Sequence, residues 1–523
     1  MTHIPYRLSV PQYFEHWWAK LGLLVILSLC FKLWVLLRVE VINPDGVLYL
    51  KAARCYLSGN FREALDLYRM PFYPLLIAAV HQFFVPDLVL AGQVLSVFFL
   101  TGMLVPCYLL VREVWNDTTA FWGGALLATT PYFNRHAVDI MRDPPFLFFL
   151  AWSMWATWHL LKTKDWRWAA LTGVMATLAT LSRIEGALLF LALAVACLMG
   201  SRGLPIGRRT GMAAILIAAG PACIAPLAAW LAFHLGELPA SRIPELLMVK
   251  QNFSRIFEQY RLHYDMLKNL EKQLPGGGHP SNLFELTRHY IPFIYLIGLA
   301  HSLVRVVHPA IFIASLAGLK IWRHVSSSFR WVSGSVFAFY LLLAMLRMFQ
   351  DISYSKRFIY APALILTLWA GHGVVVIWRW KRERWQRGWS HWLATTMILV
   401  LLLSPAVKAV MYKHGREKNI RQAGCWLADH SPPGAVSLTN DGRIAFYANR
   451  EYVDVDILGD INKLARQHQS SYIVLRGTTH ELARFPTPSG YEEVQRFPGK
   501  RRTIVIFQVN TPTLHPPFKA SGS

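Results

Sequence analysis

The chain has 523 residues, of which 54% are hydrophobic and only 16% are charged, whereas soluble domains carry about 25% charged residues. This composition excludes a large soluble enzyme and predicts a polytopic membrane protein. The formal net charge of +23 is spread through short loops between apolar runs, which argues against nucleic-acid binding and favours membrane topology with an anionic, lipid-borne substrate.

The apolar runs predict the membrane spans. The first run, Leu21–Leu37, is long enough to cross a bilayer and reads as a retained span, because it lacks the features of a signal peptide. The mixed segment 39–87 contains a short apolar piece after Pro71-Phe72-Tyr73-Pro74, predicted to be juxtamembrane or re-entrant. Further spans are predicted at 88–111, 119–134, 145–161, 168–182, 187–200, 211–233, 303–322, 331–346, 358–378 and 391–407. The total is about eleven.

The distribution of basic residues predicts the orientation. With a cytoplasmic N-terminus, the short basic loops face the cytoplasm, and the long loops 39–87 and 234–302 face outside. Within the second long loop, residues 234–290 are expected to form amphipathic helices around a hinge at Gly276-Gly277-Gly278. An odd number of spans places the C-terminus outside. We therefore expect a multi-pass protein of a bacterial inner (plasma) membrane.

The C-terminal part predicts a separate domain after a membrane domain of residues 1–407. Hydrophobic alternation over 408–510 indicates a small extracytoplasmic α/β domain, and the Pro-rich tail 511–523 is expected to be disordered. Its predicted elements are the helices Glu417–Asp429 and Gly442–Ala448 and the strands Ala435–Thr439, Tyr472–Leu475, Tyr491–Arg496 and Thr503–Val509. The fold class is thus an α-helical polytopic membrane protein with a small C-terminal α/β domain.

The six cysteines show neither CxxC nor zinc-ligand spacing, so they predict no metal site. Cys55 and Cys425 fall in polar stretches and would be able to pair if both face an oxidising compartment. The sequence leaves that pairing open.

Four polar clusters are predicted to lie on the outer face. The first contains Asp45 with Tyr49, Lys51 and Arg54, just beyond the first span. The flanking proline and glycine predict that Asp45 sits on a turn and not inside a helix. An acidic side chain near the bilayer surface indicates a functional site. The alternative is an ordinary Asx-turn, which needs no function.

The second cluster runs from Asn134 to Pro144 between two spans. Asp139 and Asp143 are four residues apart, so they would share one face if this segment is helical. Pro144 suits the first turn of the following helix, and Asp143 would then be its N-cap. That capping role is the structural alternative to a functional one.

The third and fourth clusters place charges beside apolar runs. In Ser182-Arg183-Ile184-Glu185-Gly186 a charged pair interrupts apolar sequence, and the alternative is a structural salt bridge at a helix break. The fourth cluster precedes the span that begins at Phe358, and its alternative is interfacial snorkelling. Its members are Arg347, Gln350, Asp351, Tyr354, Ser355, Lys356 and Arg357.

Acids and cations converging at one membrane face are explained by a phosphate-linked lipid donor. Cations stabilise the phosphate as it leaves, and they act best where water is excluded. A carboxylate deprotonates or orients the incoming nucleophile.

The sequence also resembles a family. Asp45, Pro71-Phe72-Tyr73-Pro74, Arg142-Asp143-Pro144, Ser182–Gly186 and Ser355–Pro362 occur in an order similar to that of the polytopic glycosyltransferases of the GT-C fold, near the protein O-mannosyltransferase and aminoarabinose (lipid A) transferase group. The resemblance covers about residues 20–410, and the C-terminal domain resembles the periplasmic tails of such proteins more weakly.

The resemblance implies roles for particular residues. Asp45 would be the catalytic base, and Asp143 the second acid, with Asp139 as the competing assignment. Lys356 and Arg357 would contact the donor phosphate. No cofactor is expected, although Gly46, where members often have a second acid, leaves a metal-assisted variant open. Ile184 departs from the family's Arg-Pro-Glu.

The leading hypothesis is an inverting transferase that moves a sugar from a polyprenyl-phosphate carrier to a lipid, glycan or protein acceptor. Its predicted substrate-binding residues are Tyr49, Arg54, Arg142, Arg183, Glu185, Tyr354, Lys356 and Arg357. The alternative is a lipid-linked sugar transporter or flippase, for which Lys32, deep in the first span, is the main sequence feature. A scaffold or sensor would leave the clustered charges unexplained.

Overall fold

The structure is a computed structural model. It describes residues 16–235, 249–273, 279–351, 356–384, 389–411, 417–455, 461–468, 470–483, 488 and 490–509. The chain forms two compact units: Met1–Val35 with Cys55–Tyr412, and Leu36–Arg54 with Lys413–Ser523. The segment 36–54 therefore belongs with the C-terminal residues, whereas the sequence-based division assigned it to the membrane domain.

The described part of the first unit is helical. As far as residue 235, the helices of the chain are α1 (Trp17–Leu36), α2 (Pro44–Leu57), α3 (Phe61–Leu67), α4 (Phe72–Phe83), α5 (Leu88–Gly102), α6 (Leu104–Val114), α7 (Asp117–Thr129), α8 (Pro131–His136), α9 (Asp143–Thr163), α10 (Trp166–Ser182), α11 (Ala187–Gly200) and α12 (Ile206–Leu235). They continue with α13 (Val249–Gln273), α14 (His279–Val307), α15 (Pro309–Leu319), α16 (Ser327–Asp351), α17 (Tyr360–Arg384) and α18 (Trp389–Val410). Short 3-10 turns lie at Ile184–Gly186, Trp322–His324 and Lys356–Ile359.

Within the described residues, seven helices are long and apolar enough to cross a membrane. They are Trp17–Leu36, Leu88–Val114, Ile206–Pro226, Leu283–Val307, Ser327–Phe349, Lys356–Arg384 and His391–Val410. Shorter apolar helices occupy Phe72–Phe83, Ile184–Gly200 and Pro309–Leu319. The predicted class of a multi-pass helical membrane protein is confirmed, whereas the total of about eleven spans stays a prediction.

The structure differs from the predicted spans around residue 308. The predicted span 303–322 is two helices, because α14 ends at Val307, His308 adopts a φ of +85°, and Pro309 opens α15. Most of the apolar stretch Leu283–Val307, as far as residue 302, also lies in the predicted outer loop 234–302. The prediction overlooked this helix because Pro292 interrupts its sequence pattern, yet a proline is tolerated inside a membrane helix when neighbouring groups satisfy the freed carbonyl. The predicted hinge at Gly276–Gly278 lies outside the described residues.

Glycines allow α15 and α17 to approach each other at backbone distance. A Cβ atom on Gly373 would lie 1.7 Å from the carbonyl oxygen of Ala314, and one on Gly318 would lie 2.2 Å from that of Trp369. Small residues at such a crossing are a common feature of membrane helix packing. This crossing anchors α17, whose N-terminal end follows the fourth polar cluster.

The C-terminal part of the second unit is a five-stranded mixed sheet with the order β2-β1-β3-β5-β4. The strands are β1 (Val436–Thr439), β2 (Glu451–Asp454), β3 (Tyr472–Gly477), β4 (Tyr491–Phe497) and β5 (Thr503–Val509). Strand β1 pairs parallel with β2 and β3, whereas β5 pairs antiparallel with β3 and β4. The helices are α19 (Lys418–His430), α20 (Gly442–Ala448), α21 (Ile461–Gln467) and α22 (Thr479–Ala483).

Both faces of this sheet are covered, and residues of β3 alternate between two hydrophobic clusters. Tyr472 and Val474 belong to the cluster that contains α19 and α20, whereas Ile473 and Leu475 belong to the cluster that contains α21. The predicted α/β unit is confirmed. The sequence analysis missed β2, α21 and α22.

Candidate functional site

The second and third polar clusters meet around the guanidinium of Arg183. Its Nη1 atom donates to Asp143 Oδ1, and its Nε atom donates to Glu185 Oε2 at 3.2 Å. The three side chains are only 4%, 3% and 9% exposed, respectively. Two carboxylates and one guanidinium thus form a buried ion triad, which is stable only if its geometry is maintained.

The local backbone explains how Arg183 and Glu185 come together. Helix α10 ends at Ser182, Arg183 is extended, and a 3-10 turn over Ile184–Gly186 leads into α11. A Cβ atom on Gly186 would lie 2.5 Å from the backbone nitrogen of Thr180, so this tight reversal requires glycine. The salt bridge at a helix break, weighed from the sequence, is therefore present, and Asp143 extends it.

The predicted N-cap role of Asp143 is wrong. Asp143 is the first residue of α9, and the preceding residue, Arg142, occupies the cap position without a side-chain cap bond. The Asp143 carboxylate is bound by Arg183 instead, while its Oδ2 atom is buried and has no hydrogen-bond partner among the described residues. An unsatisfied buried acceptor is costly, and such an atom commonly marks the place where a ligand or water completes the site.

Asp139 lies on a separate element from Asp143. Residues 137–142 are not helical, so the condition under which the two acids would share a helical face is not met. The Asp139 carboxylate contacts His136 Nδ1 at 2.6 Å, whereas the Asp143 carboxylate is bound by Arg183. The Asp139 carbonyl accepts a hydrogen bond of 2.7 Å from Ser96, whose hydroxyl lies 3.4 Å from that of Tyr73. The Pro71–Pro74 motif thus supports this loop through α5.

Arg142 is oriented by the segment before α4. Its Nη1 atom donates to the hydroxyl of Tyr68 at 2.8 Å and to the sulfur of Met70 at 3.5 Å. Its Nε atom is buried, and no hydrogen-bond partner for it occurs in the part of the chain that the structure describes. Arg142 therefore retains one unsatisfied donor beside the buried Asp143.

Aromatic rings connect the fourth cluster to the triad. The guanidinium groups of Arg183 and Arg347 each lie 5.3 Å from the ring centre of Phe358. The Lys356 ammonium lies 5.2 Å from the ring of Tyr132, and Arg357 is on the same 3-10 turn. Among the described residues, Lys356 has no carboxylate within ion-pair distance. The predicted Tyr354 lies outside the described residues.

The first cluster belongs to the second unit. The predicted turn at Asp45 is wrong, because Pro44 opens α2 and Asp45 lies in its first helical turn. Proline suits the first helical position, and an acidic side chain there interacts favourably with the helix dipole. Asp45 is partly exposed, Tyr49 is buried, and the Arg54 guanidinium lies 5.0 Å from the ring centre of Phe446.

Comparisons with known proteins identify the fold. A family model described as dolichyl-phosphate-mannose-protein mannosyltransferase matches residues 69–230, less than half of the chain. No curated protein matches the sequence. The structure is similar to the archaeal oligosaccharyltransferase AglB from Archaeoglobus fulgidus, solved with an inhibitory peptide and a dolichol-phosphate; identity is 15%, the TM-score is 0.54, and 89% of this chain and 70% of that chain are covered.

A second similar structure is ArnT from Cupriavidus metallidurans bound to undecaprenyl phosphate. The identity is 12%, the TM-score is 0.51, and the match covers 93% of this chain and 97% of that chain. The chain has the GT-C fold. The resemblance that the ordered motifs indicated is therefore confirmed for the fold. The match covers 93% of the chain, whereas the motifs lie between Asp45 and Pro362.

Two polar residues of this GT-C chain, His136 and Lys32, received no role in the predicted transfer reaction. His136 stood within the second cluster, but only the structure shows its contact with Asp139. Lys32 is 1% exposed and donates to Ser28 Oγ and, at 3.3 Å, to Oδ1 of Asn134, the first residue of that cluster. A lone cation in an apolar run was the available signal.

The described residues contain neither a cluster of metal ligands nor a disulfide bond. No three His, Cys, Asp or Glu side chains converge there as ligands of a metal ion. Within that part of the chain, no disulfide bond joins Cys55 to Cys425. The catalytic and substrate-binding roles predicted from the sequence stay predictions. They concern Asp45, Asp139, Asp143, Glu185, Arg54, Arg142, Arg183, Lys356, Arg357, Tyr49 and Tyr354.

Proposed function

We propose that this GT-C protein is a glycosyltransferase that moves a sugar from a polyprenyl-phosphate-linked donor to a lipid, glycan or protein acceptor. The observation on which the proposal rests is the fold likeness to ArnT over 93% of this chain, since that structure holds undecaprenyl phosphate. The likeness to AglB with bound dolichol-phosphate supports the same class of donor.

The charge balance of the site supports a division of labour among its cations. The two carboxylates of the buried triad compensate the Arg183 charge, so we propose that Arg183 holds Asp143 and Glu185 in place near the substrate. Lys356 has no described ion-pair partner, so its charge is available for the donor phosphate, with Arg357 beside it. Charge-assisted contacts of this kind stabilise a departing phosphate.

In the proposed reaction, an acceptor nucleophile attacks the anomeric carbon as the bond from that carbon to the phosphate oxygen breaks. Asp45 takes the proton of the nucleophile, and the polyprenyl phosphate leaves with the bonding electron pair. Asp143, through its unsatisfied Oδ2 atom, accepts a hydrogen bond from the substrate. Asp139, held by His136, is the competing assignment for this second acid. No cofactor is part of the proposal, so chelation with EDTA should leave turnover unchanged.

We further propose that the reaction takes place at the outer face of the inner (plasma) membrane, with the N-terminus cytoplasmic. Cys425 offers a native probe, because it is an exposed thiol on α19 of the C-terminal sheet domain. A membrane-impermeant maleimide applied to intact cells should label the wild-type protein and should label Cys425→Ser less. Labelling of Cys425 only after cell lysis would contradict this orientation.

The decisive experiment uses purified full-length protein in liposomes with a polyprenyl-phosphate sugar and measures donor cleavage. Asp45→Asn should lower turnover by about 10²–10⁴-fold, the usual contribution of a general base, without changing the melting temperature. Glu492→Gln, at an exposed acid of β4, is the matched control and should keep wild-type turnover. Transbilayer movement of the donor without cleavage would favour the transporter hypothesis.

A further inference from the structure

The segment that carries Asp45 is bound to the C-terminal sheet domain through main-chain contacts. The N–H group of Ile42 donates to the hydroxyl of Tyr447 at 2.9 Å, and the carbonyl of Ile42 accepts from Arg443 Nη1 at 3.4 Å. Val41 packs against the hydrophobic cluster beneath α19 and α20. Both main-chain groups of Ile42, three residues before Asp45, are thus held by side chains of α20.

Arg443 is itself fixed by an ion network in which Glu417 is partly exposed and the other side chains are mostly buried. Its Nε and Nη2 atoms donate to the two oxygens of Asp441 at 2.8 and 2.7 Å, and its Nη1 atom donates to Glu417 at 2.6 Å. Arg476 contacts the same two carboxylates, at 3.0 and 2.6 Å. The Arg443 side chain is 5% exposed, so the donor that reaches Ile42 has little freedom to move.

A second attachment lies beyond Asp45 on the same helix. The Lys51 ammonium is 3.1 Å from the Glu451 carboxylate and 4.6 Å from the ring centre of Tyr452. Six residues of α-helix separate Lys51 from Asp45, about 9 Å along the axis. The start of α2 is therefore held on both sides of Asp45 by elements of one domain, α20 before it and β2 after it.

We propose that the C-terminal domain positions Asp45, with Tyr447 and Arg443 as positioning residues that act through Ile42. This inference rests on the proposed role of Asp45 as the base. A catalytic group displaced by about 1 Å loses about 10²-fold in rate, so a domain that contributes no base to the reaction still controls the rate. The C-terminal domain is then a working part of the transferase, beyond any selection of acceptors.

The test compares Tyr447→Phe with Tyr491→Phe in the full-length protein in liposomes. The first substitution removes the hydroxyl that holds Ile42. The second removes a hydroxyl of the same domain that donates to the Ser470 carbonyl at 2.6 Å, without a contact to residues 40–54. Amide hydrogen exchange of peptides from 40–54 is measured without substrate, and kcat and KM for the donor are measured separately.

Tyr447→Phe should speed exchange in 40–54 by about tenfold, as expected for a buried N–H that loses its acceptor, and should lower kcat by about tenfold. The KM for the donor should stay within about twofold, because the phosphate contacts are unchanged. Tyr491→Phe should change neither quantity. Lys51→Met, which removes the second attachment at a partly exposed site, should shift exchange in 40–54 and kcat in the same directions by about twofold to fivefold, and it replaces Tyr447→Phe if that variant does not fold.

Unchanged exchange in 40–54 for both Tyr447→Phe and Lys51→Met would overturn the attachment itself. Faster exchange with unchanged kcat would overturn the positioning role. If the wild-type protein cleaves no donor, the proposed function fails, and the exchange comparison still decides whether the domain holds the segment.

Discussion

The substitution Arg183→Met offers the sharpest test of the buried triad. It keeps an unbranched apolar side chain of the length of the arginine stem but removes the guanidinium that lies between Asp143 and Glu185. Both carboxylates, which are at most 9% exposed, then remain buried without the cation that compensates their charge. The substitution should destabilise the first unit strongly.

The magnitude follows from the cost of a broken buried pair. Removing one partner of such a pair costs about 3–5 kcal/mol, because an uncompensated charge stays buried. For a chain of this size, that loss corresponds to a melting temperature lower by about 5 °C. A partly exposed pair costs at most about 1 kcal/mol. Arg112 pairs with Asp117 at 2.6 Å with both side chains about one third exposed, so Arg112→Met is the matched control.

The assay is thermal unfolding of the full-length protein in detergent, followed by donor cleavage in liposomes. A triple variant, Arg183→Met with Asp143→Asn and Glu185→Gln, removes all three charges and should recover most of the lost stability. It should remain inactive if the acids act on the substrate. Equal melting temperatures for Arg183→Met and Arg112→Met would refute the assignment of a buried triad. Full activity of the triple variant would show that the triad is purely structural.

Three further predictions concern other parts of the chain. Lys356→Met should raise the KM for the donor by about tenfold, the cost of one lost charge-assisted contact, and Lys356→Arg should keep most of the affinity in steady-state kinetics. In the C-terminal domain, burial opposes ionisation of Glu417 and Asp441, but their arginine partners outweigh it and hold the pKa of each carboxyl below its usual value. Their contribution to stability is therefore present above about pH 4 and lost below it, so protection factors of β1 amides should fall as the pH drops through that range. Gly373→Leu should lower the melting temperature because its side chain meets backbone, whereas Gly211→Leu, with open space, should not.

Much of the architecture was predictable because its signals are local. Long apolar runs indicate membrane helices regardless of how those helices pack. In the C-terminal domain, a short run of β-branched and aromatic residues predicted β5 with its observed bounds, Thr503–Val509, and the helix Gly442–Ala448 was also predicted residue for residue. The missed strand β2, Glu451–Asp454, is short and leaves both ends exposed, so its sequence has no buried alternation to recognise.

The errors at the candidate site have a different origin. Pro44 and Gly46 flank Asp45 in a pattern that suits a turn and a helix start equally. The observed helix begins at Pro44, two residues after Ile42, whose N–H group donates to the Tyr447 hydroxyl. The N-cap expected at Asp143 is a local preference that the contact with Arg183 replaces. In both places a contact distant in sequence decided between two locally acceptable structures.

The sequence by itself determined the class of this protein, the existence of a C-terminal α/β domain and the residue types available for phosphate-linked chemistry. Only the tertiary structure decided that Arg183 joins an acid 40 residues earlier, and that the segment with Asp45 belongs to the domain at the other end of the chain. The reason is physical: hydrophobic periodicity acts over one or two helical turns or a single strand. Ion pairs and main-chain contacts depend instead on which elements pack together, and no short stretch of sequence contains that information.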